Sequence, residues 1–335
     1  MKFQEKKDYY FSRIEREIAP GLSTFKKIMI YLDFRIERAR SQITFLDYIQ
    51  YRFYWRNHRG REEFITAGRA KEIVKACNVW ESCLAKFGDK VAFNKRFDNY
   101  LHRRWLDTTT CTIEEFKAFA GSLDRFFIKP VNKSYGIGTG IIYTSEIKDY
   151  ASLFEDLKKG ETLAEELIDQ HPELATFNES SVNSVRVVTI RCADDTVKVM
   201  VSALRLGRAG KVADNFHHHG LCALIDVDTG LVKTEGIDKD YSRFVVHPDS
   251  KKPIVGFRVP CWDKIVETTK EAARVVPEVR FVGWDVTVDA QNNVVIIEGN
   301  STPMHDVTQI PDQMGKWADY ESIVRELEKL KKAAG

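Results

Sequence analysis

The chain is most easily approached through what it lacks. Its six cysteines (Cys77, Cys83, Cys111, Cys192, Cys222 and Cys261) contain no Cys-x-x-Cys pair and no zinc-like spacing. That excludes a thioredoxin-type centre and a structural zinc site, and leaves isolated thiols of a reducing compartment as the expectation. No stretch approaches the roughly 18 apolar residues of a membrane-spanning helix. The start, Met1-Lys-Phe-Gln-Glu-Lys-Lys-Asp8, has no apolar signal core, so a cytoplasmic enzyme or binding protein is expected. There is no excess of charge of one sign: the net value is +2, which gives no reason to expect a nucleic-acid partner. Phosphate-binding motifs of the common kinds are missing as well. Gly207-Arg-Ala-Gly-Lys-Val has the wrong spacing for a P-loop. The Gly-x-Gly-x-Gly turn at 136–140 leads into a strand pattern and not a helix, so a dinucleotide fingerprint fails. His102-Arg-Arg-Trp is not a kinase catalytic loop, and no Asp-Phe-Gly or Ser/Cys triad signature is present. Internal repeats and low-complexity tracts are absent too.

What is present is an ordinary globular composition, 43% hydrophobic and 30% charged over 335 residues, long enough for one large or two to three smaller domains. Charge is unevenly placed: residues 1–75 hold 17 Lys/Arg against 10 Asp/Glu. Residues 1–86 read as helical. The clearest helix follows Gly21, with Ser23 as N-cap and Phe25, Ile28, Leu32, Ile36, Ala39, Ile43 and Leu46 recurring every three to four residues. Lys26, Lys27, Arg35, Arg38 and Arg40 are expected on the opposite face. With Phe53, Tyr54 and Trp55 nearby, peripheral contact with a membrane is one reading of this basic helix. The preferred expectation is that the stripe packs on the body of the protein and the basic face is solvated.

From about residue 87 strands and helices alternate. Thr112-Ile-Glu-Glu115 is a capping box opening a helix to Leu123, and Ser145 is expected to cap another to Lys159. Strands are expected at 126–131, 140–144, 162–168, 183–191, 197–205, 221–227 and 231–235, with a helix from Asp263 to Val275 and a final hairpin of 280–289 and 293–298 turned at Asn292-Asn293. Tight antiparallel pairs with interleaved helices indicate an α+β fold.

Three groups of residues can carry chemistry. On the last hairpin, Glu298 and Asn300 are two apart, with Gly299 leaving room between them, and Asp285 lies on the partner strand. Two carboxylates and an amide oxygen on a rigid ribbon suit Mg²⁺, which completes its shell with water and phosphate. Second, Lys129 lies at the end of the apolar strand Phe126–Val131 and precedes Gly136, Gly138 and Gly140, so an ammonium and free loop N–H groups can meet a polyphosphate. Third, Leu163-Ala-Glu-Glu-Leu-Ile-Asp-Gln-His-Pro-Glu173 is a strand ending in carboxylates, able to offer backbone groups to an adenine edge. Arg186 and Arg205 sit on strands and suit a transferring phosphoryl group or an oxyanion, unless each is tied to a carboxylate. In Asp214-Asn-Phe-His-His-His-Gly, Asn215 and His217 are candidates for an acceptor pocket, while His218 and His219 read as solvent or packing residues.

Strand-Lys, glycine hairpin, Glu-Glu hinge, then Asp followed thirteen residues later by Glu-x-Asn resembles the layout of the ATP-grasp fold. The motifs Ile128-Lys-Pro, Glu166-Leu-Ile-Asp-Gln-His-Pro-Glu-Leu, Asn183-Ser-Val-Arg-Val-Val-Thr, Asp214-Asn-Phe-His, Ile225-Asp-Val-Asp-Thr-Gly, His247-Pro-Asp, Gly256-Phe-Arg-Val-Pro-Cys-Trp, Gly283-Trp-Asp and Glu298-Gly-Asn resemble the ATP-grasp group associated with sugar transfer, over residues 87–315. The resemblance implies two α+β lobes with nucleotide between them, preceded by a helical N-terminal region. It divides the chain into 1–86 (helical), 87–168 (small lobe with lid) and 169–335 (large lobe with metal site and C-terminal helix).

By that resemblance Lys129 contacts the phosphates of ATP. Lys90 or Lys95 supplies a second lysine, Lys90 in Gly-Asp-Lys fitting better. The hairpin Asn132–Gly140, with Lys133, Gly136 and Gly138, is the lid, although it is less rich in glycine than family members often are. Glu165, Glu166, Leu167 and Ile168 form the adenine hinge, Glu173 binds ribose, and Asp285, Glu298 and Asn300 hold two Mg²⁺, with Mn²⁺ an alternative. The implied reaction is carboxylate–amine ligation through an acylphosphate on small-molecule acids and amines, with linkage to a sugar of a surface polysaccharide as the further expectation. The rivals are a phosphotransferase on the same fold and a non-catalytic nucleotide-binding scaffold.

Overall fold

Ser23 marks where the clearest helix starts: its hydroxyl accepts from the Lys26 amide, and Gln42 at φ 51° closes the other end. The computed structural model describes residues 3–132, 138–210, 216 and 220–334. They fall into two compact units, Met1–Ala76 with Met304–Gly335, and Cys77–Pro303. The three-way division expected above cuts the second of these at Ile168. Among the described residues no helix is long and apolar enough to cross a membrane, and none of the six cysteines is in a disulfide.

The first unit is helical. α1 (Phe3–Glu17) and α2 (Thr24–Ser41) precede a short helix, Phe45–Gln50, held by a Thr44–Asp47 capping box. The stripe expected to pack inward faces out instead: Phe25, Ile28, Leu32 and Ile36 are 71%, 40%, 48% and 53% exposed. The reason is competition for the inner face. Phe34, fully buried, packs edge-on against Phe45 and Tyr48 at 4.8 and 5.6 Å, and Glu37, also buried, meets Arg61. Aromatic packing and a buried ion pair therefore take the side that periodicity assigned to solvent. Of the stripe only Ile43, beyond the helix, is buried. The C-terminal helix Trp317–Ala334 belongs to this unit, with Tyr320 and Leu327 buried.

The second unit contains two antiparallel sheets. The smaller, in the order β1-β4-β2-β3, is built from β1 (Trp105–Asp107), β2 (Arg125–Pro130), β3 (Gly140–Tyr143) and β4 (Thr162–Glu166). Helices Ile113–Gly121 and Tyr150–Lys159 cover one face through Phe116, Ala120, Phe154 and Leu157. The first has the expected Thr112–Glu115 capping box. The second starts later than expected, because Asp149 and not Ser145 caps it; residues 144–146 make a single 3₁₀ turn.

The larger sheet runs β11-β10-β5-β6-β7-β8-β9. Its strands are β5 (Ser184–Arg191), β6 (Val197–Leu206), β7 (Leu221–Ile225), β8 (Gly236–Ile237), β9 (Arg243–Phe244), β10 (Phe281–Val288) and β11 (Val294–Asn300). The strand expected at 231–235 is only a pair of isolated bridges, at Leu231 and Val232. One face is the core: Val185, Val187, Leu204, Trp284, Val286 and Ile296 pack with Ile265 of the helix Trp262–Ala272 and with Phe93 and Phe97. The opposite face carries the polar residues discussed next.

Candidate active site

Strand register decides which side chains meet. Asp285 on β10 lies opposite Arg186 on β5 and opposite Glu298 on β11; Ser184, two residues before Arg186, lies opposite Arg205 on β6. Paired residues point to the same face. Arg186, Arg205, Asp285, Glu298 and Asn300 therefore share the face away from the core.

For β11 this needs more than alternation. Val294 and Ile296 point into the core. Strict alternation would send Glu298 and Asn300 after them. A β-bulge prevents it: Val286 pairs with Ile296 but Asp285 pairs with Glu298, so Ile297 is the extra residue and the polar pair is turned to the Asp285 face. Gly299 does permit a close approach, but by the Phe87 and Phe93 rings, which would lie 2.9 Å from an added Cβ. Gly283 serves the site more directly: a Cβ there would stand 2.6 Å from Pro303 and 3.2 Å from the Arg186 guanidinium.

Asp285 is 3% exposed and both its oxygens accept from guanidinium groups: Arg186 Nε on Oδ1, and Arg186 Nη2 and Arg205 Nη1 on Oδ2 at 3.0 and 2.8 Å. Burial alone would push this carboxyl up, but the two arginines outweigh it and hold it well below the usual range. Glu298 behaves oppositely. The protein around it and the Asp285 carboxylate across the pair both raise its carboxyl. Its side chain keeps an accessible surface, so the adjacent negative charge counts for more than burial. Asn300 Nδ2 donates to Glu298 Oε1 at 3.1 Å. Among the described residues no three His, Cys, Asp or Glu side chains cluster as metal ligands. The candidate donor set is the mixed one, two facing carboxylates with an amide. Such a pair, one member inclined to retain a proton, fits a divalent cation, which can take that proton's place.

The lysine expected at the phosphates is held by a residue expected at the hinge. Lys129 Nζ meets Glu165 Oε1 at 2.7 Å. Glu165 is 4% exposed, accepts from Asn94 Nδ2 at 2.9 Å and pairs with Arg103 at 3.3 Å. Burial opposes its charge, yet Arg103 and Lys129 bring its carboxyl down to about 2. Its backbone is paired on both sides, with Trp105 and Phe127. Glu165 thus positions Lys129. Arg103 reaches further, donating to the Ile296 carbonyl at 3.0 Å, beside the bulge. It ties the lysine strand to the carboxylate hairpin, a role nothing in His102-Arg-Arg-Trp disclosed. Lys90 donates to the Pro130 and Val131 carbonyls at 2.8 and 2.9 Å. Burial and the neighbouring Lys129 lower its ammonium, while Glu298 and Glu165 act to raise it, so Lys90 senses both halves of the cluster.

Glu166 is turned to Arg104, at 3.1 Å. Leu167 and Ile168 leave the strand half-buried, and among the described residues their backbones make no hydrogen bond. Glu173, on the short helix Pro172–Ala175, is exposed beside a cavity of 290 Å³ lined also by Phe177, Lys252 and Phe257. No described contact joins it to the carboxylate cluster. Gly138 adopts φ +78°, which favours glycine. Lys133, Gly136, Asn215 and His217 lie outside the described residues, as do His218 and His219.

Asn183, fully buried, is a second residue whose role the sequence did not disclose. Its Nδ2 donates to Gln170, Leu174 and Asn178, and its Oδ1 accepts from the Gly207 amide, fixing where β5 begins and β6 ends.

A search of curated proteins found no match. Similar solved structures include the ATP-grasp ligase PsnB complexed with minimal precursor, 15% identical with a TM-score of 0.45, covering 73% of this chain and 62% of that one. The chain thus spans less than two thirds of that protein's length. D-Alanine–D-alanine ligase from Bacillus anthracis is 13% identical with a TM-score of 0.43, covering 75% of this chain and 70% of its own. The ligase from Coxiella burnetii is 11% identical with a TM-score of 0.44, covering 77% and 61%. The family model for sugar-transfer-associated ATP-grasp proteins matches residues 105–324, about two thirds of the chain. With an α+β fold preceded by a helical N-terminal region, the chain belongs to the sugar-transfer-associated ATP-grasp family.

Proposed function

We propose that the protein is an ATP- and Mg²⁺-dependent carboxylate–amine ligase. The observation that carries this reading is the cluster of Asp285, Glu298 and Asn300 backed by Arg186 and Arg205, with Lys90 coupled electrostatically to Glu298 and to Lys129. Glu298 and Asn300, with Asp285 as the buried anchor, would hold up to two Mg²⁺ (or Mn²⁺). When bound, the metal supplies charge neutralisation at transferring phosphoryl oxygens. Lys129 and Lys90 add point charges for the phosphates, beneath a lid that includes Lys133, Gly136 and Gly138. The unpaired backbone of Leu167 and Ile168, just after Glu166, suits an adenine edge, and Glu173 is assigned to ribose.

In the reaction an oxygen of the acid substrate attacks the γ-phosphorus, the bond to the β-phosphate oxygen breaks, and ADP leaves. The amine nitrogen then attacks the acylphosphate carbon, phosphate is expelled, and the nitrogen gives up a proton to solvent. Arg186 and Arg205 lie on the face where the oxyanion forms, and Asn215 and His217 are assigned to the acceptor pocket. Turnover is cytoplasmic in this reading, and the acid and amine are small molecules, one of them attached to a sugar of a surface polysaccharide.

The test is incubation with ATP, Mg²⁺ and pools of uronic acids, amino sugars and amino acids, read by mass spectrometry. An amide formed one-for-one with ADP supports the proposal. A phosphorylated acid or alcohol without an amide turns the assignment to a phosphotransferase, and ADP release that Glu298→Gln leaves unchanged removes this cluster from the reaction.

A further inference from the structure

The outward stripe of α2 has no partner in the first unit, and its surroundings say what kind of surface would cover it. Phe25, Ile28, Met29, Leu32 and Ile36 form one line of side chains 40–71% exposed. Isolated apolar residues on a surface need no explanation, but five large ones in contiguous helical register mark a binding face. At 100° per residue, Arg35 and Arg40 fall on opposite flanks of the line, with Lys26 and Arg38 further round. All four are exposed, and among the described residues none has a carboxylate partner. The acids of α2 are both paired within this unit: Glu37, buried, and Asp33, half-exposed, accept from Arg61. Lys27, the remaining base, is tied to Glu15. The exposed face is therefore apolar along its middle and net cationic along its edges, with Arg40 also bordering a cavity that Glu62, Glu72 and Glu321 line.

We propose that α2 is a membrane-docking helix that lies in the headgroup region of an anionic phospholipid surface, its apolar line among the acyl chains and its arginines at the phosphates. An apolar line flanked by long cationic side chains is the arrangement for lying along such an interface, because arginine stems extend over hydrocarbon while the guanidinium groups reach headgroups. A second copy of the chain fits less well. Stacking this face on itself brings arginines against arginines with no free carboxylate on α2 to offset them. The proposal stands on the first unit alone and does not depend on the reaction proposed above.

Flotation of the full chain with vesicles of phosphatidylcholine, and of phosphatidylcholine mixed with phosphatidylglycerol, tests it. Binding is expected only to the anionic vesicles and to weaken as salt is raised. Replacing Arg35 and Arg40 together by alanine should weaken binding roughly 30-fold, at about five-fold per charge removed. Leu32→Glu with Ile36→Glu should abolish it, with circular dichroism and melting temperature unchanged because both positions are exposed. The idea is overturned by equal binding to neutral vesicles, by no binding to either, or by double variants that bind as the parent does. It is equally overturned by a parent dimer in sedimentation that Leu32→Glu/Ile36→Glu converts to monomer, which would assign the face to self-association.

Discussion

Glu298 and Asp285 face each other as two carboxylates, and the arginines settle which one ionises first. Both guanidinium groups contact Asp285, so the proton stays with Glu298, whose carboxyl is raised. A group raised on folding contributes stability that is complete below its unfolded value, near 4.5, and is lost as pH rises through its folded value. In the absence of metal, Glu298→Gln should therefore melt higher than the parent at neutral pH, the difference closing below pH 4.5. The same substitution should weaken Mg²⁺ binding at least about 10-fold by titration calorimetry, since even outer-shell partners of a metal are worth that much. Glu165 is the converse case. Held at about 2 against 4.5 unfolded, it contributes stability that is present above pH 4.5 and lost as pH falls through 2. Arg103→Met removes one of its two cations and leaves a buried carboxylate with Lys129 and Asn94 only. We expect a loss of about 3 kcal/mol in urea unfolding at neutral pH. The acid-induced loss should also begin at higher pH than in the parent, because the remaining partners hold the carboxyl down less.

At the scale of elements, the bulge on β11 separates a site from a buried mistake. Deleting Ile297 would remove the bulge and make Glu298 the next residue after Ile296, where regular alternation still turns it to the Asp285 face. The deletion should therefore keep Mg²⁺ binding, as Ile297→Ala does, with the hairpin pairing regularly. Titration calorimetry reads the binding and hydrogen exchange at β10 and β11 reads the pairing; loss of binding in the deletion alone would mean that the twist of the bulge sets the ligand geometry. Gly299→Ala should cost about 1–3 kcal/mol, because the added methyl meets Phe87 and Phe93. The hairpin itself was legible: Asn292, at φ 62°, turns two strands whose alternation ends where the carboxylates begin. The bulge was not, since one extra residue leaves no mark in a run such as Val-Val-Ile-Ile-Glu. Strand-Lys129 and the Glu165-Glu166 pair were legible as features of one chemistry, but not that Glu165 serves Lys129, which depends on a diagonal contact between β2 and β4. Helix α2 was found with its cap and with the wrong face inward. Its inner side, Phe34 with Glu37, gains its partners from Phe45, Tyr48 and Arg61, and periodicity within one helix carries no information about what a later segment offers.

Across the whole molecule, the residues that close the first unit come from the far end of the chain, a pairing that no local pattern announces. Its seam is built of polar contacts to backbone. Gln309 accepts from the Ile65 amide at 2.8 Å and donates to the Ile65 carbonyl at 3.0 Å, so one side chain completes both hydrogen-bonding groups of a buried residue. The Trp317 amide donates to the Glu63 carbonyl, and Gly315 packs so closely on Glu63 that an added Cβ would overlap its backbone. Gln309→Leu keeps the volume but strands an N–H and a C=O away from water, which should cost about 3 kcal/mol. Because the two units have separate cores, the loss should be local. Hydrogen exchange read by mass spectrometry should quicken at 45–64 and 317–327, while β5 and β10 keep the parent's protection. Gln309→Glu retains the acceptor for the Ile65 amide but sets a second acceptor against the Ile65 carbonyl. At neutral pH it should fall between the parent and the leucine variant only if the amide contact is the stronger of the two. Faster exchange spread evenly over β5 and β10 in Gln309→Leu would mean that the units unfold as one, and the seam would then be part of a single cooperative core.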